Sequence, residues 1–297
     1  MSTRSLIVKL LDRPGFRSVL AGLISKYAGR LQDKSDAGVP PRVFYDPATG
    51  CWGRAHGQDW LVEAPQFPYY ANDLRLRSAK PPWQSMALQN WMRYADLRAG
   101  DTVLDIGAEV GSDSLTFAEH VGPTGKVLAI EAHPITYTRL HRTVLLSRRS
   151  QIIPVCAAIW DSAGIVAIES GETSLEASVV MSDPNAPRLA VHTVATITID
   201  ALCDSIEGEI RLIKMNIEGS EGRALGGMLK VLARTRNIVV ACHDFRADAG
   251  EGEWFRTKTI VTQALHNAGF DILPNPHEHS EYPYNRDIVY AQNRTLR

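Results

Sequence analysis

The chain has 297 residues, 44% of them hydrophobic and 22% charged, which is the ordinary balance of a globular protein with a large buried core. Its formal net charge of −1 at pH 7 argues against a nucleic-acid partner, because such binding relies on a dense basic surface. The four cysteines lie far apart and form no Cys-x-x-Cys pair, which is typical of free thiols in a reducing compartment.

The first residues show no signal-peptide pattern, and the apolar run at residues 19–24 is too short to span a bilayer. We therefore expect a cytoplasmic protein without a membrane partner. Apolar residues recur at helical spacing over residues 5–31, with a break at Pro14 and Gly15, which predicts a helical arm. The apolar face of this helix has to be buried against something. Three alternatives stay open: packing on its own domain, a lid, or a contact in a homodimer.

Two more elements are predicted before residue 100. Residues 42–55 form two short strand-like runs around the turn DPATG, which predicts a hairpin. Residues 81–97 begin with proline and carry apolar side chains at helical spacing, which predicts a helix. We assign residues 1–99 to an N-terminal region of arm, hairpin and cap, and residues 100–297 to a second domain.

Strand-like and helix-like segments alternate from residue 102 to the end of the chain. This order predicts an α/β fold, a doubly wound and mostly parallel sheet. Ligands of such sheets bind at the carboxyl ends of the strands, near the point where the strand order reverses. A basic run within residues 139–149 predicts the solvated face of one of the helices.

The first strand of this domain runs into a glycine-bearing loop, VLDIGAEVGSDSL. Asp105 stands at the strand end, Gly107 permits a tight turn, and Gly111 permits close packing of the next helix. A dinucleotide fold in this register would need glycine where the chain has Glu109 and Ser112. A pyrophosphate would also be repelled by the carboxylate of Glu109, which makes a dinucleotide cofactor improbable.

S-adenosylmethionine suits the loop better, because it has no phosphate and carries a sulfonium and an ammonium. Glu131 follows the second strand, where its carboxylate is placed to accept both ribose hydroxyls. The combination of Asp105, Gly107, Gly111 and Glu131 is more specific than the glycines alone. We therefore expect S-adenosylmethionine as the cofactor, with Glu109 facing its positive charge.

Three stretches resemble the FkbM family of S-adenosylmethionine-dependent methyltransferases: VLDIGAEVGSDSLTFAEHVGPTGKVLAIEAHP, VATITIDAL and IKMNIEGSEGRALGG. The resemblance covers about residues 100–245. It implies a class I methyltransferase (Rossmann-like) fold and O-methylation of sugars or polyketide-linked hydroxyls. It also implies cofactor contacts from a set of five residues: Asp105, Gly107, Gly111, Glu131 and, in CAAIWD, Ala157.

The chain departs from the family at two positions. The family usually has asparagine at the place of Glu109 and aspartate at the place of Asn216. The first departure puts contacts to the methionine end of the cofactor in doubt, and the second weakens a metal ligand at 216. Residues 1–99 bear only a loose likeness to mycobacterial polysaccharide methyltransferases that act on methylated mannosides.

Polar residues follow two strands that the predicted sheet makes neighbours: Asn216 and Glu218 after one, His243 and Asp244 after the other. Because an alcohol is a poor nucleophile, its methylation needs a proton acceptor or a divalent cation. We therefore predict Glu218 and His243 as catalytic residues, and Asn216, His243 and Asp244 as ligands of Mg²⁺. The alternative is structural: Glu218 and Asp244 would cap the segments that follow them.

The acceptor is expected to be a small molecule or an oligosaccharide. The polar and aromatic loop at residues 275–286 is placed to border its site, with His277, His279, Tyr282 and Tyr284 as candidate contacts. The leading prediction is an O-methyltransferase for a saccharide or a methylated mannoside. An O-methyltransferase of polyketides or other secondary metabolites, and a non-catalytic S-adenosylmethionine-binding module, stay open as alternatives.

Overall fold

The computed structural model describes residues 16–31, 42–65, 82–170, 177–179 and 191–296. The first part of the predicted arm, residues 5–15, lies outside these ranges. No helix within them is long and apolar enough to cross a membrane.

The described residues up to 65 form a helix and a small sheet. Helix α1 (Arg17–Leu31) precedes a three-stranded antiparallel sheet of β1 (Arg42–Asp46), β2 (Cys51–His56) and β3 (Asp59–Ala64). Strands β1 and β2 are the predicted hairpin, whereas β3 was not predicted. Ala21 of α1 packs against the sheet, whereas Phe16, Val19 and Leu23 are exposed, so the described part of the arm is covered only in part by its own chain.

The remaining strands, in chain order, are β4 (Thr102–Ile106), β5 (Lys126–Glu131), β6 (Ile152–Cys156), β7 (Ala158–Ile159), β8 (Gly164–Ser170), β9 (Ala177–Val179), β10 (Val191–Ile197), β11 (Ile210–Met215), β12 (Thr235–Ala241), β13 (Phe270–Leu273) and β14 (Ile288–Asn293). The helices are α2 (Pro82–Met86), continued by a π-helical turn (Ala87–Trp91), α3 (Ser112–Val121), α4 (Pro134–Ser147), α5 (Ile199–Leu202), α6 (Glu221–Gly226), α7 (Leu229–Ala233), α8 (Asp244–Asp248), α9 (Lys258–Asn267) and α10 (Pro283–Arg286). A 3₁₀ turn (Glu253–Phe255) lies between α8 and α9.

Seven strands form the central sheet, in the order β6-β5-β4-β11-β12-β14-β13. The five strands from β6 to β12 are parallel, and β14 runs antiparallel to both of its neighbours. The predicted doubly wound, mostly parallel sheet is therefore confirmed. A second sheet, ordered β7-β10-β8-β9, is inserted between β6 and β11.

The two middle strands of the central sheet supply much of its core. Strand β4 is buried at every position, and β11 at every position except Arg211. Their apolar side chains enter two separate hydrophobic clusters, as expected of a sheet with both faces covered. The chain leaves β4 towards one edge of the sheet and returns to β11 beside it, so the strand order reverses between these two strands. Their carboxyl ends therefore frame the crevice in which a ligand is expected.

The small N-terminal sheet docks on helix α4 through polar contacts. The guanidinium of Arg142 donates to the buried carboxylate of Asp46, with the Nη2–Oδ1 distance at 2.8 Å. Arg149 lies 2.8 Å from Asp59, and the backbone N–H of Val62 donates to a hydroxyl of α4. The basic run was predicted to be a solvated helix face. That prediction is wrong for Arg142 and Arg149, because β1 and β3 bring carboxylates to them.

We expect Arg142→Met to lower the free energy of unfolding by about 1–3 kcal/mol, because it leaves the Asp46 carboxylate buried with fewer donors. Among the described residues, the Asp46 carboxylate then keeps only the backbone N–H and the hydroxyl of Thr49 as donors. The measurement is urea unfolding at constant m-value. Arg98→Met is the matched control, since the Arg98–Asp96 pair is exposed, and it should leave the transition unchanged. Equal midpoints for the two variants would contradict the docking role of Arg142.

Candidate active site

The loop after β4 approaches the end of β11 very closely. Gly107 has a φ of +76°, and a Cβ atom added there would collide with the carbonyl oxygen of Asn216. Gly111 has a φ of +94°, and its Cβ would lie 2.8 Å from Leu140 of α4. A side chain at either position would be strained by the left-handed backbone and would clash with its neighbours, so glycine is needed at both. This agrees with the turning and packing roles predicted for them.

A buried lysine beneath this loop was missed by the sequence analysis. The Nζ of Lys214 lies 2.9 Å from Asp105 Oδ1 and 3.7 Å from Asp113 Oδ2, and it donates to the carbonyl of Gly107 at 2.6 Å. Burial lowers the pKa of Lys214, but Asp105, Asp113 and Glu109 outweigh it and raise that pKa above its usual value. The signal for this residue was a single charge in the apolar strand LIKM.

Asp105 thus has a supporting position. It is fully buried, it faces Lys214, and it accepts a hydrogen bond from the hydroxyl of Ser114 on α3. It is absent from the residues that line the crevice, and so is Gly111. These two predicted cofactor residues therefore support the loop and do not line the crevice themselves.

Glu131 ends β5 and faces the crevice with a fixed carboxylate. Its Oε2 accepts the backbone N–H of Glu109 at 3.0 Å, and its Oε1 accepts that of His133 at 2.8 Å. Burial raises the pKa of Glu131 to about 7, although these two donors act in the opposite direction. The two backbone donors hold both oxygens in place, and each oxygen keeps capacity for a further donor.

A first pocket lies over the carboxyl ends of β4, β5 and β11. Four of the predicted cofactor residues line it: Gly107, Glu109, Glu131 and Ala157. Ala157, Ala158, Ile159 and Ile168 give one end an apolar surface, and Glu218 closes the other side. The pocket therefore combines an apolar end, a fixed carboxylate and an acidic end.

A second pocket adjoins the first. It is lined by residues from five separate segments, namely Arg54, Trp83, Met86, Trp91, Glu109, Ser112, Asp113, Asn216 and Tyr284. Glu109 and Asn216 belong to both pockets and form the wall between them. Tyr284 comes from the loop that was predicted to border the acceptor. Arg54, Trp83 and Trp91 come from the N-terminal region and had not been predicted as site residues.

The predicted polar cluster forms an ion-pair network. His243 lies between two carboxylates, with Nε2 at 3.2 Å from Glu218 and Nδ1 at 2.9 Å from Glu221. Burial lowers the pKa of His243, but Glu221 and Glu218 outweigh it and raise that pKa to about 10. The ring is therefore an imidazolium at neutral pH. Glu221, which is fully buried and which also accepts the backbone N–H of Gly219, was missed.

Glu218 completes the network on the other side. Its Oε2 accepts a hydrogen bond from Arg246 Nη1 at 2.6 Å. Burial raises the pKa of Glu218, but His243 and Arg246 outweigh it and hold that pKa below its usual value. A carboxylate with a low pKa and two cationic partners is a weak proton acceptor.

The carboxylate of Asp244 binds backbone N–H groups and does not face the crevice. Its Oδ1 accepts the N–H groups of Thr257 at 2.8 Å and Lys258 at 2.9 Å, where α9 begins. Both ring nitrogens of His243 face carboxylates. Asn216, His243 and Asp244 therefore do not fit the predicted Mg²⁺ site, and the described ranges contain no cluster of three His, Cys, Asp or Glu residues that could hold a metal.

Solved structures to which the chain is similar include several methyltransferases. The chain is 17% identical to the methyltransferase FkbM of Methylobacillus flagellatus KT, with a TM-score of 0.45, over 71% of this chain and 48% of that one. It is 12% identical to fibrillarin of Aeropyrum pernix in complex with natively bound S-adenosyl-L-methionine, with a TM-score of 0.42, over 86% and 95% of the two chains. It is 11% identical to an S-adenosylmethionine-dependent O-methyltransferase of Thermotoga maritima, with a TM-score of 0.41, over 86% and 78%.

The chain thus spans about half the length of the first of these structures. A search of curated proteins finds no match.

The family model for the methyltransferase FkbM domain matches residues 105–272, which is more than half of the chain. That range contains every residue that lines the first pocket. The strand order, with one antiparallel strand near an edge of a parallel sheet, confirms the predicted class I, Rossmann-like methyltransferase fold. The chain therefore belongs to the FkbM family of S-adenosylmethionine-dependent methyltransferases.

Proposed function

We propose that the protein transfers a methyl group from S-adenosylmethionine in the first pocket to a hydroxyl of a saccharide in the second. One observation carries this proposal. The two pockets adjoin, and Glu109 and Asn216 form their common wall. A donor in one pocket and an acceptor in the other would meet at that wall, as direct transfer requires.

The first pocket suits each part of the cofactor. The fixed carboxylate of Glu131 is placed to accept the ribose hydroxyls, and the surface around Ala157 suits the adenine ring. Glu218 supplies negative charge for the ammonium, and Glu109 is placed beside the sulfonium. When bound, the cofactor supplies an electrophilic methyl group. The same acidic residues disfavour the pyrophosphate of a dinucleotide.

The second pocket suits a sugar because it combines aromatic faces with polar groups. Trp83, Trp91 and Tyr284 line it with aromatic rings, and the two tryptophans are largely buried. Arg54 and Asp113 supply polar groups. A methylated mannoside has both an apolar surface that can pack on aromatic rings and hydroxyls that can bind polar groups. A polyketide acceptor would use the aromatic faces but few of the polar groups. A non-catalytic module would not need a second pocket beside the cofactor.

Loss of the ribose contacts should weaken cofactor binding. We expect Glu131→Ala to lower the affinity for S-adenosylhomocysteine by about 2 kcal/mol, because two hydrogen bonds to a carboxylate are lost. Isothermal titration calorimetry measures this, with the exposed Glu207→Ala as the control. NAD should not bind to either variant or to the unmodified protein. Tight NAD binding, with no response to S-adenosylhomocysteine, would contradict the cofactor assignment.

The role of His243 is open to a test by pH. Its pKa is raised to about 10 in the folded protein, against 6.5 for a free histidine, so its stabilising effect is complete below about pH 6.5. That effect is lost as the pH rises towards 10, by up to about 1.4 kcal/mol per pH unit. We therefore expect the free energy of unfolding to fall less steeply with pH in His243→Gln.

The exposed His279→Gln serves as the control and should keep the slope of the unmodified protein. If His243→Gln kept that slope too, the imidazole would be neutral in the folded state and available as a base. The original prediction of His243 as a catalytic residue would then regain support.

The acceptor is best identified by transfer of labelled methyl from S-adenosylmethionine to a panel of hydroxyl compounds. The panel contains mannosides, methylated mannosides, other hexosides and polyketide alcohols. We expect transfer to a saccharide, and we expect no loss of rate with a chelator, since the predicted metal ligands do not fit Mg²⁺. Transfer to polyketide alcohols alone would overturn the saccharide assignment, and inhibition by chelator that Mg²⁺ reverses would reinstate a metal.

A further inference from the structure

Glu109 occupies the boundary between the two pockets, and it is partly buried. Its backbone N–H is bound to Glu131, which fixes the position of the residue. Its carboxylate receives no hydrogen bond or ion pair from any residue in the described ranges. The other acidic residues of the two pockets differ: Glu131, Glu218 and Asp113 each have a donor or a cation close by.

The backbone at Glu109 is also unusual. Only three residues other than glycine have a positive φ in the described part of the chain, namely Glu109 at 50°, Arg148 at 53° and Glu218 at 54°. Two of the three line the first pocket. Glycine and asparagine adopt this left-handed conformation at lower cost than glutamate does. Such strained positions concentrate at functional sites, so the presence of a carboxylate at 109 points to a use for it.

The electrostatic surroundings suit a proton acceptor. Burial raises the pKa of Glu109 to about 8, and the carboxylates of Asp113 on α3, Glu131 on β5 and Glu218 after β11 act in the same direction. The ammonium of Lys214 on β11 acts against them. A proton acceptor works best when its pKa lies near the pH of the reaction. Glu218, with its lowered pKa, does not meet this condition.

Resting on the proposed function, we infer that the carboxylate of Glu109 accepts the proton of the acceptor hydroxyl during methyl transfer. The hydroxyl oxygen forms the new C–O bond as the C–S bond breaks, and the electron pair of that bond stays on sulfur. The hydroxyl proton passes to Glu109 and then to solvent. Asn216, in the same wall, has an amide that cannot take the proton.

A different role for Glu109 has to be separated from this one. The carboxylate would also suit the ammonium at the methionine end of the cofactor. The two roles predict different binding of two ligands. S-adenosylhomocysteine keeps the methionine ammonium but has nothing at the position of the methyl group. Sinefungin keeps that ammonium and carries an additional amine at the position of the methyl group.

We expect Glu109→Gln to weaken sinefungin binding by about tenfold or more, because the amine loses a charged partner. Binding of S-adenosylhomocysteine should change by less than about twofold, because on this inference the carboxylate faces the acceptor hydroxyl and not the methionine ammonium. Calorimetry on the full chain gives both constants. Glu109→Asn is a second variant that suits the left-handed backbone, and it should give the same pattern if Glu109→Gln does not fold.

Equal losses for the two ligands would place the carboxylate at the methionine ammonium and overturn the inference. Unchanged affinity for both would overturn it as well. If neither ligand bound the unmodified protein, the proposed function itself would fail, which is a distinguishable result. With the acceptor from the panel, kcat of Glu109→Asn should fall by about 100-fold or more at saturating substrates, while Glu207→Gln retains it. A kcat within threefold of the unmodified value would also overturn the inference.

Discussion

The geometry of the crevice depends on the contacts that the buried ammonium of Lys214 makes. This ammonium joins the middle strand β11 to the end of β4 through Asp105, and it binds the carbonyl of Gly107 in the loop between them. A buried charge of this kind is stable only when its partners stay in place, so it fixes the spacing of the two strand ends. The loop can then present Glu109 to both pockets from a rigid base. The same ammonium offsets part of the negative charge that Glu109, Asp113 and Asp105 bring together.

Much of the fold was predictable because it follows from local patterns. Alternating strands and helices gave the doubly wound sheet, and DPATG gave the hairpin of β1 and β2. The glycines at 107 and 111 are required by contacts within their own loop and the adjoining strand and helix. The contacts between distant segments were not predictable. Arg142 and Arg149 resemble any solvated basic run until β1 and β3 place carboxylates against them.

The contacts of the polar cluster at the site could also be predicted only in part. Parallel neighbouring strands correctly brought Glu218 and His243 together. Their chemistry, however, depends on Glu221 and Arg246, since these two partners decide which group holds the proton. Burial at 221 and the direction of its carboxylate do not follow from spacing along the chain. Asp244 has a structural role other than the alternative predicted, because its carboxylate accepts backbone N–H groups at the start of α9 and not in the segment that directly follows it.

The two pockets draw in part on different segments of the chain. All residues that line the first pocket fall between 106 and 220, inside the stretch shared with the family. Of those that line the second, Arg54, Trp83, Met86, Trp91 and Tyr284 fall outside that stretch. On the proposed function, substitutions at these flanking residues can therefore reshape the second pocket without disturbing the first. Such a division allows a lineage to acquire new acceptors while it keeps one inherited source of methyl groups, and it makes the flanking segments the place where relatives with different acceptors should diverge most.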